Sequence, residues 1–184
     1  RFCIDETNSL YTTGGIYALI PINQNLDVYP YLGMFNSNVI KYFLLEQGDR
    51  KRGGYIAISA NLLRIIPCAS DQKTLKKIIE YILFLTEDNN QDFLVNLLTR
   101  YMNYIVYEIY FYKKFQDDGV VTNLSNLIGE YLIDIVYSSE KIEEINKIIK
   151  RINSISKDKT INNEIEKIMS HPWVRIIEDQ VEKR

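Results

Sequence analysis

Hydrophobic positions in the C-terminal part of the chain recur every three to four residues, the spacing that predicts α-helices. The first helix begins near Ser70, a suitable N-cap residue, and a longer second helix ends before the turn at Asp117, Asp118 and Gly119. The turn between the two helices is predicted at Asp88 to Asn90. The predicted buried faces are Leu75, Ile78, Ile79, Ile82 and Leu85 in the first helix, and Phe93, Leu94, Leu97, Leu98, Tyr101, Ile105 and Ile109 in the second.

The helical pattern continues to the end of the chain. Further helices are predicted around Leu124 to Val136, through Ile142 to Ile152, around Ile165, and after Pro172. The aromatic residues between Tyr101 and Tyr112 also have helical spacing. This pattern is more typical of core packing than of a platform on which nucleic-acid bases stack.

The N-terminal third has a mixed pattern. Short β-branched or aromatic runs next to glycine pairs predict strands at Ile16–Ile20 and Tyr55–Ile58, and Leu62–Ile66 continues the second run after a turn. Between them, helical spacing from Pro30 to Gly48 predicts one helix. The sequence therefore predicts an α+β fold, in which a small mixed β-sheet with a packed helix precedes a mostly α-helical half.

Length and composition indicate one globular unit. The chain has 184 residues, of which 46% are hydrophobic and 25% charged, so it can bury a core. No linker separates its halves, and we expect a single domain, 1–184, with a mixed α/β subregion at 1–69 and a helical subregion at 70–184. The chain begins at Arg1 rather than methionine, and we expect it to be part of a larger polypeptide.

Candidate catalytic groups are scarce. The single histidine, His171, precedes Pro172 at a helix start and is interpreted as a capping or packing residue. Asp71 and Lys73 have a spacing found in nucleases, but an acidic and then a basic residue are common at helix starts. Two cysteines without metal-ligand spacing indicate reduced thiols and a cytoplasmic protein. Neither a signal peptide nor an apolar run long enough to span a membrane is present.

Positive charge is concentrated in one part of the chain. The net charge is -2, but residues 1–77 carry 9 Lys and Arg against 6 Asp and Glu, whereas the remainder carries 13 against 18. Arg50, Lys51 and Arg52 are directly followed by Gly53 and Gly54. The cations would attract a phosphate, and the glycines would let the backbone approach it closely. Such a protein would meet a polyanion with one surface. The candidate phosphate-binding residues are Arg50, Lys51, Arg52, Gly53, Gly54 and Tyr55, with Lys41 and Arg64 nearby in sequence.

Five short segments occur in a characteristic order. They are YALIP ending at Pro21, YLGMFNSNVIKYF at 31–43, GGYIAISANLLRIIP ending at Pro67, IVYEIYF from Ile105, and SHPWVRIIE from Ser170. In this order and spacing they resemble the C-terminal target-recognition domain of TaqI-like and type IIG restriction-modification enzymes, which are adenine DNA methyltransferases. The resemblance spans nearly the whole chain.

The resemblance implies a division of labour between domains. A separate N-terminal methyltransferase domain would bind S-adenosylmethionine and receive a flipped adenine, while this chain would grip double-stranded DNA and read the target. The chain lacks the Asn-Pro-Pro-aromatic tetrapeptide of amino-methyltransferases, so we expect neither catalysis nor a cofactor in it. Its acidic helical half would dock on the methyltransferase domain, or on a nuclease domain where the enzyme has one.

Base reading would require polar side chains on loops near the basic residues. Asn and Gln can each make paired hydrogen bonds with adenine. Both candidate loops could equally be ordinary turns. Asn36 and Ser37 match an Asn-Ser pair of similar domains, but are interpreted as packing or backbone-bonding residues. An alternative function is a helical protein-interaction scaffold that uses the Ile142 to Ile152 face. The candidate base-reading residues are Tyr11, Thr12, Thr13, Asn23, Gln24 and Asn25.

Overall fold

The structure is a computed structural model that describes residues 2–3, 26–51, 56–66, 68, 73–87, 91–136 and 140–183. Helices account for about 75% of this part of the chain. Its β-structure is one antiparallel pair of two-residue strands, with Asp49 opposite Ala57 and Arg50 opposite Ile56. The predicted α+β fold with a mixed sheet is therefore wrong, because the described part of the molecule is a helical assembly.

The elements follow one another in chain order. They are α1 Tyr29–Phe35, α2 Asn38–Gln47, β1 Asp49–Arg50, β2 Ile56–Ala57, α3 Ala60–Arg64, α4 Lys73–Thr86, α5 Asp92–Asp117, α6 Leu124–Gly129, α7 Lys141–Lys157, α8 Lys159–Ser170 and α9 Pro172–Glu182. The predicted strand Ile16–Ile20, the Ser70 cap and the turn at 88–90 lie outside the described residues.

The single helix predicted from Pro30 to Gly48 is divided into α1 and α2. Ser37 has an extended backbone, and its hydroxyl accepts a hydrogen bond from Ile40 N at 3.4 Å while donating to Met34 O at 2.6 Å. Serine at this position caps a new helix better than it continues an old one, because its oxygen satisfies a free N–H of the first turn. Gly48 follows the end of α2, as predicted.

The predicted strand Leu62–Ile66 is also wrong, because most of this run forms α3. Ser59 caps the helix by accepting a hydrogen bond from Leu62 N at 3.1 Å. Leu62 and Ile66 are both buried, but a spacing of four residues puts side chains on one face of a helix or of a strand, and Ile66 lies beyond the end of α3. An apolar run this short satisfies either periodicity, so the serine cap and the surrounding structure decide between them.

Helices α4 and α5 confirm most of the strongest periodic prediction, but Phe93, which was predicted to be buried, is 76% exposed in the first turn of α5. In α4, Leu75, Ile78, Ile79 and Leu85 are buried and Ile82 is half-buried. In α5, which is about 39 Å long at 1.5 Å per residue, every residue from 101 to 108 is buried. A helix buried on all sides is central to a domain, and α5 contacts α2, α4, α6, α7 and α8.

The chain leaves α5 through a turn that requires glycine. Gly119 has a φ of 73°, in the left-handed region that glycine adopts without steric strain. The helix predicted for 124–136 is shorter than expected, since α6 ends at Gly129. Beyond it, the Tyr81 hydroxyl accepts a hydrogen bond from Ile133 N and donates one to Ile133 O, both at 3.0 Å. A side chain of α4 therefore replaces the backbone partners that a longer helix would have supplied.

The last three helices complete the core. Ile145, Ile148, Ile152 and Ile155 of α7 are buried. Asp158 ends α7 and caps α8, accepting hydrogen bonds from the backbone N–H groups at 160 and 161. α9 begins at Pro172 as predicted, and it packs against α2 and α8.

Candidate nucleic-acid interface

Four of the residues predicted to bind DNA lie in the described part of the chain. Lys41 is on α2, Arg50 is in β1, Lys51 follows β1, and Arg64 ends α3. The other candidates lie outside the described residues, so their predicted roles stay predictions. These are Tyr11, Thr12, Thr13, Asn23, Gln24, Asn25, Arg52, Gly53, Gly54 and Tyr55.

A close approach of backbone segments sets the position of the β1–β2 pair. A Cβ atom on Gly48 would lie 2.3 Å from Cγ2 of Ile56 and 2.6 Å from the carbonyl oxygen of Leu44. Only glycine allows this contact, because real Cβ atoms do not come within 3 Å of such neighbours. The end of α2 therefore fixes where β1 and β2 lie. Lys51, just beyond β1, is exposed at this position.

The two remaining described candidates have different surroundings. Lys41 donates from Nζ to the carbonyl oxygen of Val181 at 3.4 Å. This carbonyl lies near the C-terminal end of α9, where the helix dipole favours a cation. Arg64 is exposed, and its guanidinium donates to Asn61 Oδ1 at 3.3 Å. Arg64 therefore presents its charge to solvent, whereas Lys41 has a structural partner.

Most cations of the first 77 residues lie between Lys41 and Lys77, a stretch called here the basic segment. Two further cations of this segment are already paired. Lys76 Nζ lies 2.6 Å from Asp27 Oδ2, and Lys77 Nζ lies 3.0 Å from Asp134 Oδ1. Lys77 also donates to the carbonyl oxygen of Leu132 at 3.3 Å. The positive charge counted along the sequence is thus reduced on the folded surface. Ion pairing of this kind cannot be read from charge counts, because the partners are 49 and 57 residues away.

The Asn-Ser pair has the structural role that the sequence predicted. Asn36 donates from Nδ2 to the carbonyl oxygens of Phe2 and Leu32, each at 3.0 Å, and its Oδ1 accepts from Phe2 N at 3.0 Å. Ser37 is fully buried and caps α2. Both side chains are occupied by backbone groups, so neither is positioned to contact a base.

A polar network that the sequence analysis missed holds α2 against α5 and α9. Asn38 N donates to Asn103 Oδ1 at 2.7 Å, and Asn38 Nδ2 donates to both carboxylate oxygens of Glu178, at 3.0 and 3.2 Å. The Tyr107 hydroxyl donates to the same carboxylate. Burial, followed by the hydrogen bond to Glu178, raises the pKa of Tyr107 far above its usual range. The only signal in the sequence is Asn103, a polar residue within the aromatic stripe.

His171 is a packing residue, in agreement with its interpretation from the sequence. Its ring meets that of Phe115 edge-on at 4.8 Å, and a hydrogen bond of 3.0 Å joins Nε2 to Asp118 Oδ2. The Lys114 ammonium and then the His171 ring lower the pKa of Asp118. Among the described residues, no group of three His, Cys, Asp or Glu side chains could hold a metal ion.

The aromatic stripe of α5 is mainly core, as predicted. Tyr101, Tyr104 and Tyr107 are buried, Tyr110 and Phe111 are half-buried, and only Tyr112 is largely exposed. Burial raises the pKa of Tyr101 and of Tyr110. These rings therefore do not form a surface on which bases could stack.

Several carboxylates of the acidic half face inward. Glu108, on α5, accepts hydrogen bonds from Leu124 N and Ser125 N, both at 2.7 Å, and so caps the start of α6. Glu164 accepts from Asn123 N at 3.2 Å, and Glu144 is 2% exposed. The composition therefore overstates how acidic the surface of the helical half is.

Two simpler findings complete the description. Cys3 and Cys68 are free and exposed, and neither forms a disulfide. Of the helices in the described ranges, none combines the length and apolar character that crossing a membrane requires.

Comparison with known protein families, with curated proteins and with solved structures finds no match to this chain. The resemblance to TaqI-like target-recognition domains therefore depends on the five sequence segments alone.

Proposed function

We propose that this chain is a sequence-specific DNA-binding domain of a restriction-modification methyltransferase or endonuclease. It would grip duplex DNA so that a separate domain, which binds S-adenosylmethionine, can methylate a flipped adenine. Its partners would be double-stranded DNA and the methyltransferase domain, with a nuclease domain where the enzyme has one. The enzyme would act in the cytoplasm, and this chain would bind DNA rather than catalyse a reaction.

The observation that carries the proposal is the exposure of two cations, Lys51 directly after β1 and Arg64 at the end of α3. Lys51 and Arg64 are exposed, and neither has an acidic partner among the described residues. The close packing at Gly48 fixes the start of β1, just before Lys51, and Arg64 is in the last turn of α3. Cations held in this way suit phosphate contacts, which supply affinity and orientation without reading sequence.

Salt dependence of DNA binding tests the phosphate contacts. Anisotropy titrations between about 50 and 200 mM salt would compare the wild-type chain with an Arg50→Ala, Lys51→Ala and Arg52→Ala triple variant. Each lost phosphate contact should reduce the slope of log K against log salt by about 0.9, and affinity for any duplex should fall. An unchanged slope would mean that these residues make no phosphate contact.

A second triple variant controls for net charge. Lys113 on α5, Arg175 on α9 and Lys183 just after α9 are exposed cations, and replacing all three with alanine removes the same charge. The slope should stay close to that of the wild type if the effect is local. Equal losses in both triple variants would indicate a general field effect and would count against a defined site.

Sequence reading is tested separately, in the complete parent enzyme. At least one of Asn23→Ala, Gln24→Ala and Asn25→Ala should narrow the affinity gap between target and random duplex by roughly tenfold, because a base contact contributes about 1–3 kcal/mol of discrimination. Random-duplex affinity should be almost unchanged, which separates a base contact from a phosphate contact. If all three variants fold normally and keep the wild-type ratio, base reading does not come from this loop.

The scaffold alternative would need a surface other than the one first considered. Ile145 and Ile152 of the predicted Ile142–Ile152 face are buried inside the fold, and Ile149 is half-buried. Ile142 alone of this set is largely exposed, at 73%. The face is therefore used by the core of this chain.

A further inference from the structure

We propose that the exposed face of α7 from Asn146 to Lys157 is a second phosphate-binding surface for duplex DNA. This inference rests on the proposed function and names a contact surface outside the basic segment at 41–77. It would give the helical half of the chain a direct role in gripping DNA.

A shallow depression along α7 supplies the geometry. It has a volume of about 340 Å³. A neighbouring depression of about 330 Å³ shares Lys150 and is lined by Lys147 and Arg151, and also by the carboxylates of Asp134 and Glu144. The two depressions together follow α7 from its first turns to its end. The residues that line the first are Asn146, Ile149, Lys150, Asn153, Ser154 and Lys157.

The charges along this face are unevenly distributed. The acidic residues of α7, Glu143 and Glu144, both lie in its first turn, and both pair with Lys147 at 2.8 Å. Lys150 and Lys157 form no ion pair with any described residue, and no acidic side chain lines the first depression. Because two carboxylates share the single Lys147 ammonium, the first turns of α7 offer a phosphate no unpaired cation from this group, whereas Lys150 and Lys157 keep the rest of this face positive.

The spacing of the polar groups suits an extended polyanion. Lys150 and Lys157 are seven residues apart, so they lie on the same side of the helix about 10 Å from each other. Asn153 lies between them, and its amide can donate a hydrogen bond to a phosphate oxygen, whereas the Ser154 hydroxyl already donates to Lys150 O at 3.0 Å. Three groups in one row, Lys150, Asn153 and Lys157, could thus follow the backbone of a duplex.

The chemistry of the face favours a nucleic-acid backbone over a protein partner. Ile149 is the single apolar residue lining the first depression, and it is half-buried. A protein partner would gain little from covering so polar and shallow a surface, because interface cores are apolar and depleted in lysine. A polyanion gains directly from unpaired cations through the release of counterions.

The test removes the two lysines and leaves the packing of α7 intact. Lys150→Ala and Lys157→Ala in the full chain should reduce the salt slope for duplex binding by about 2, and equally on unrelated sequences. The matched control is Lys113→Ala with Arg175→Ala, two exposed cations on α5 and α9, which should leave the slope nearly unchanged. Thermal melting would verify that both double variants remain folded.

The outcomes separate this inference from the proposed function. If the wild-type chain binds duplex DNA but the slope of the Lys150 and Lys157 variant is unchanged, or falls no more than that of the control, the α7 surface is refuted and the proposed function stands. If the wild-type chain does not bind any duplex, both are refuted. Combining the α7 variant with the triple variant at 50–52 should give the sum of the two slope losses. A combined loss equal to that of the triple variant alone would also refute the α7 surface.

Discussion

The N-terminal segment at 26–66 and the helical body at 73–183 are built in different ways. The segment consists of elements of at most ten residues, whereas α5 of the body has 26 residues. In the body, carboxylates such as Glu108 and Glu164 face inward and cap helices. In the segment, cations such as Lys51 and Arg64 face outward. Several carboxylates of the body are therefore part of its internal structure, whereas these two cations of the segment are exposed to solvent.

The contacts between the two regions explain how short elements keep a defined position. Asn38 joins α2 to both α5 and α9 through Asn103 and Glu178, and Lys41 joins α2 to the end of α9. Helix α1 packs against α4. Since isolated short helices are marginal in water, the segment depends on the body for its order. The reverse dependence is weaker, because the long helices of the body have their own core.

The largest expected effect concerns the buried tyrosines of the body at high pH. Burial raises the pKa values of Tyr81, Tyr101 and Tyr107 above the unfolded value of about 10. Below pH 10 both states keep these protons, so stability is fully present. Above it the unfolded state releases protons that the folded state keeps, and the free energy of unfolding should fall by about 1.4 kcal/mol per pH unit for each protected tyrosine.

Urea titrations at several pH values between 9 and about 11.5 would measure this loss. Tyr107→Phe removes one titrating group and should make the decline shallower, whereas Tyr112→Phe, at a largely exposed position, is the matched control. A stability that stays constant through this range would contradict the burial of these hydroxyl groups.

The second prediction concerns the carboxylate that caps α6. Glu108→Ala should lower the free energy of unfolding by about 2–4 kcal/mol, because it removes a cap and leaves two backbone N–H groups near the core without a partner. Chemical denaturation would measure the change. The control, Glu166→Ala, removes an exposed carboxylate of α8 and should cost less than about 0.5 kcal/mol. Equal effects of the two substitutions would refute the capping role.

The third prediction concerns the connection between segment and body. Asn103→Leu should cost about 1–3 kcal/mol, since Asn38 N–H loses its acceptor. Hydrogen exchange should accelerate in α2 much more than in α4, because α2 is the element that loses its anchor. Asn96→Leu, at an exposed position on the same helix, should leave exchange in α2 unchanged. Uniform acceleration across both helices would argue against a local anchor.

The smallest expected effect concerns the outward-facing cations of the segment. Lys51→Ala and Arg64→Ala should each change the free energy of unfolding by less than about 0.5 kcal/mol, because exposed side chains without buried partners contribute little to stability. Thermal or urea denaturation would measure this, in parallel with DNA titrations. A cost above about 1 kcal/mol would show that the cation has a structural role and would weaken its assignment to DNA.

Sequence periodicity predicted the body well because each long helix repeats its buried face several times. The pattern of α4 and α5 extends over several turns, so an occasional polar residue does not obscure it. Glycine and proline, which have defined backbone preferences, also marked helix boundaries correctly. The break predicted at 117–119 is present, with Gly119 in the left-handed conformation, and Pro172 begins α9 as predicted.

Periodicity failed in the segment, where runs are too short to distinguish a strand from a helix. Leu62–Ile66 is an apolar run that fits a helix or a strand, and the Ser59 cap begins a helix at Ala60 that includes the first three residues of this run. The break between α1 and α2 depends on Ser37, whose hydroxyl prefers to cap a helix rather than to sit within one. In such short runs, tertiary contacts outweigh the intrinsic helix or strand propensity of the residues and so decide the secondary structure.

The sequence by itself determined which parts of the chain are helical body and where the cations lie along it. Only the tertiary structure decided which charges reach the surface. Lys76 forms an ion pair with Asp27 and Lys77 forms one with Asp134, and both partners are far away in sequence. Glu108 faces inward because its carboxylate accepts a hydrogen bond at the N-terminus of α6. Charge in a sequence is a count, whereas the field that a ligand meets depends on distance and burial, which the fold alone fixes.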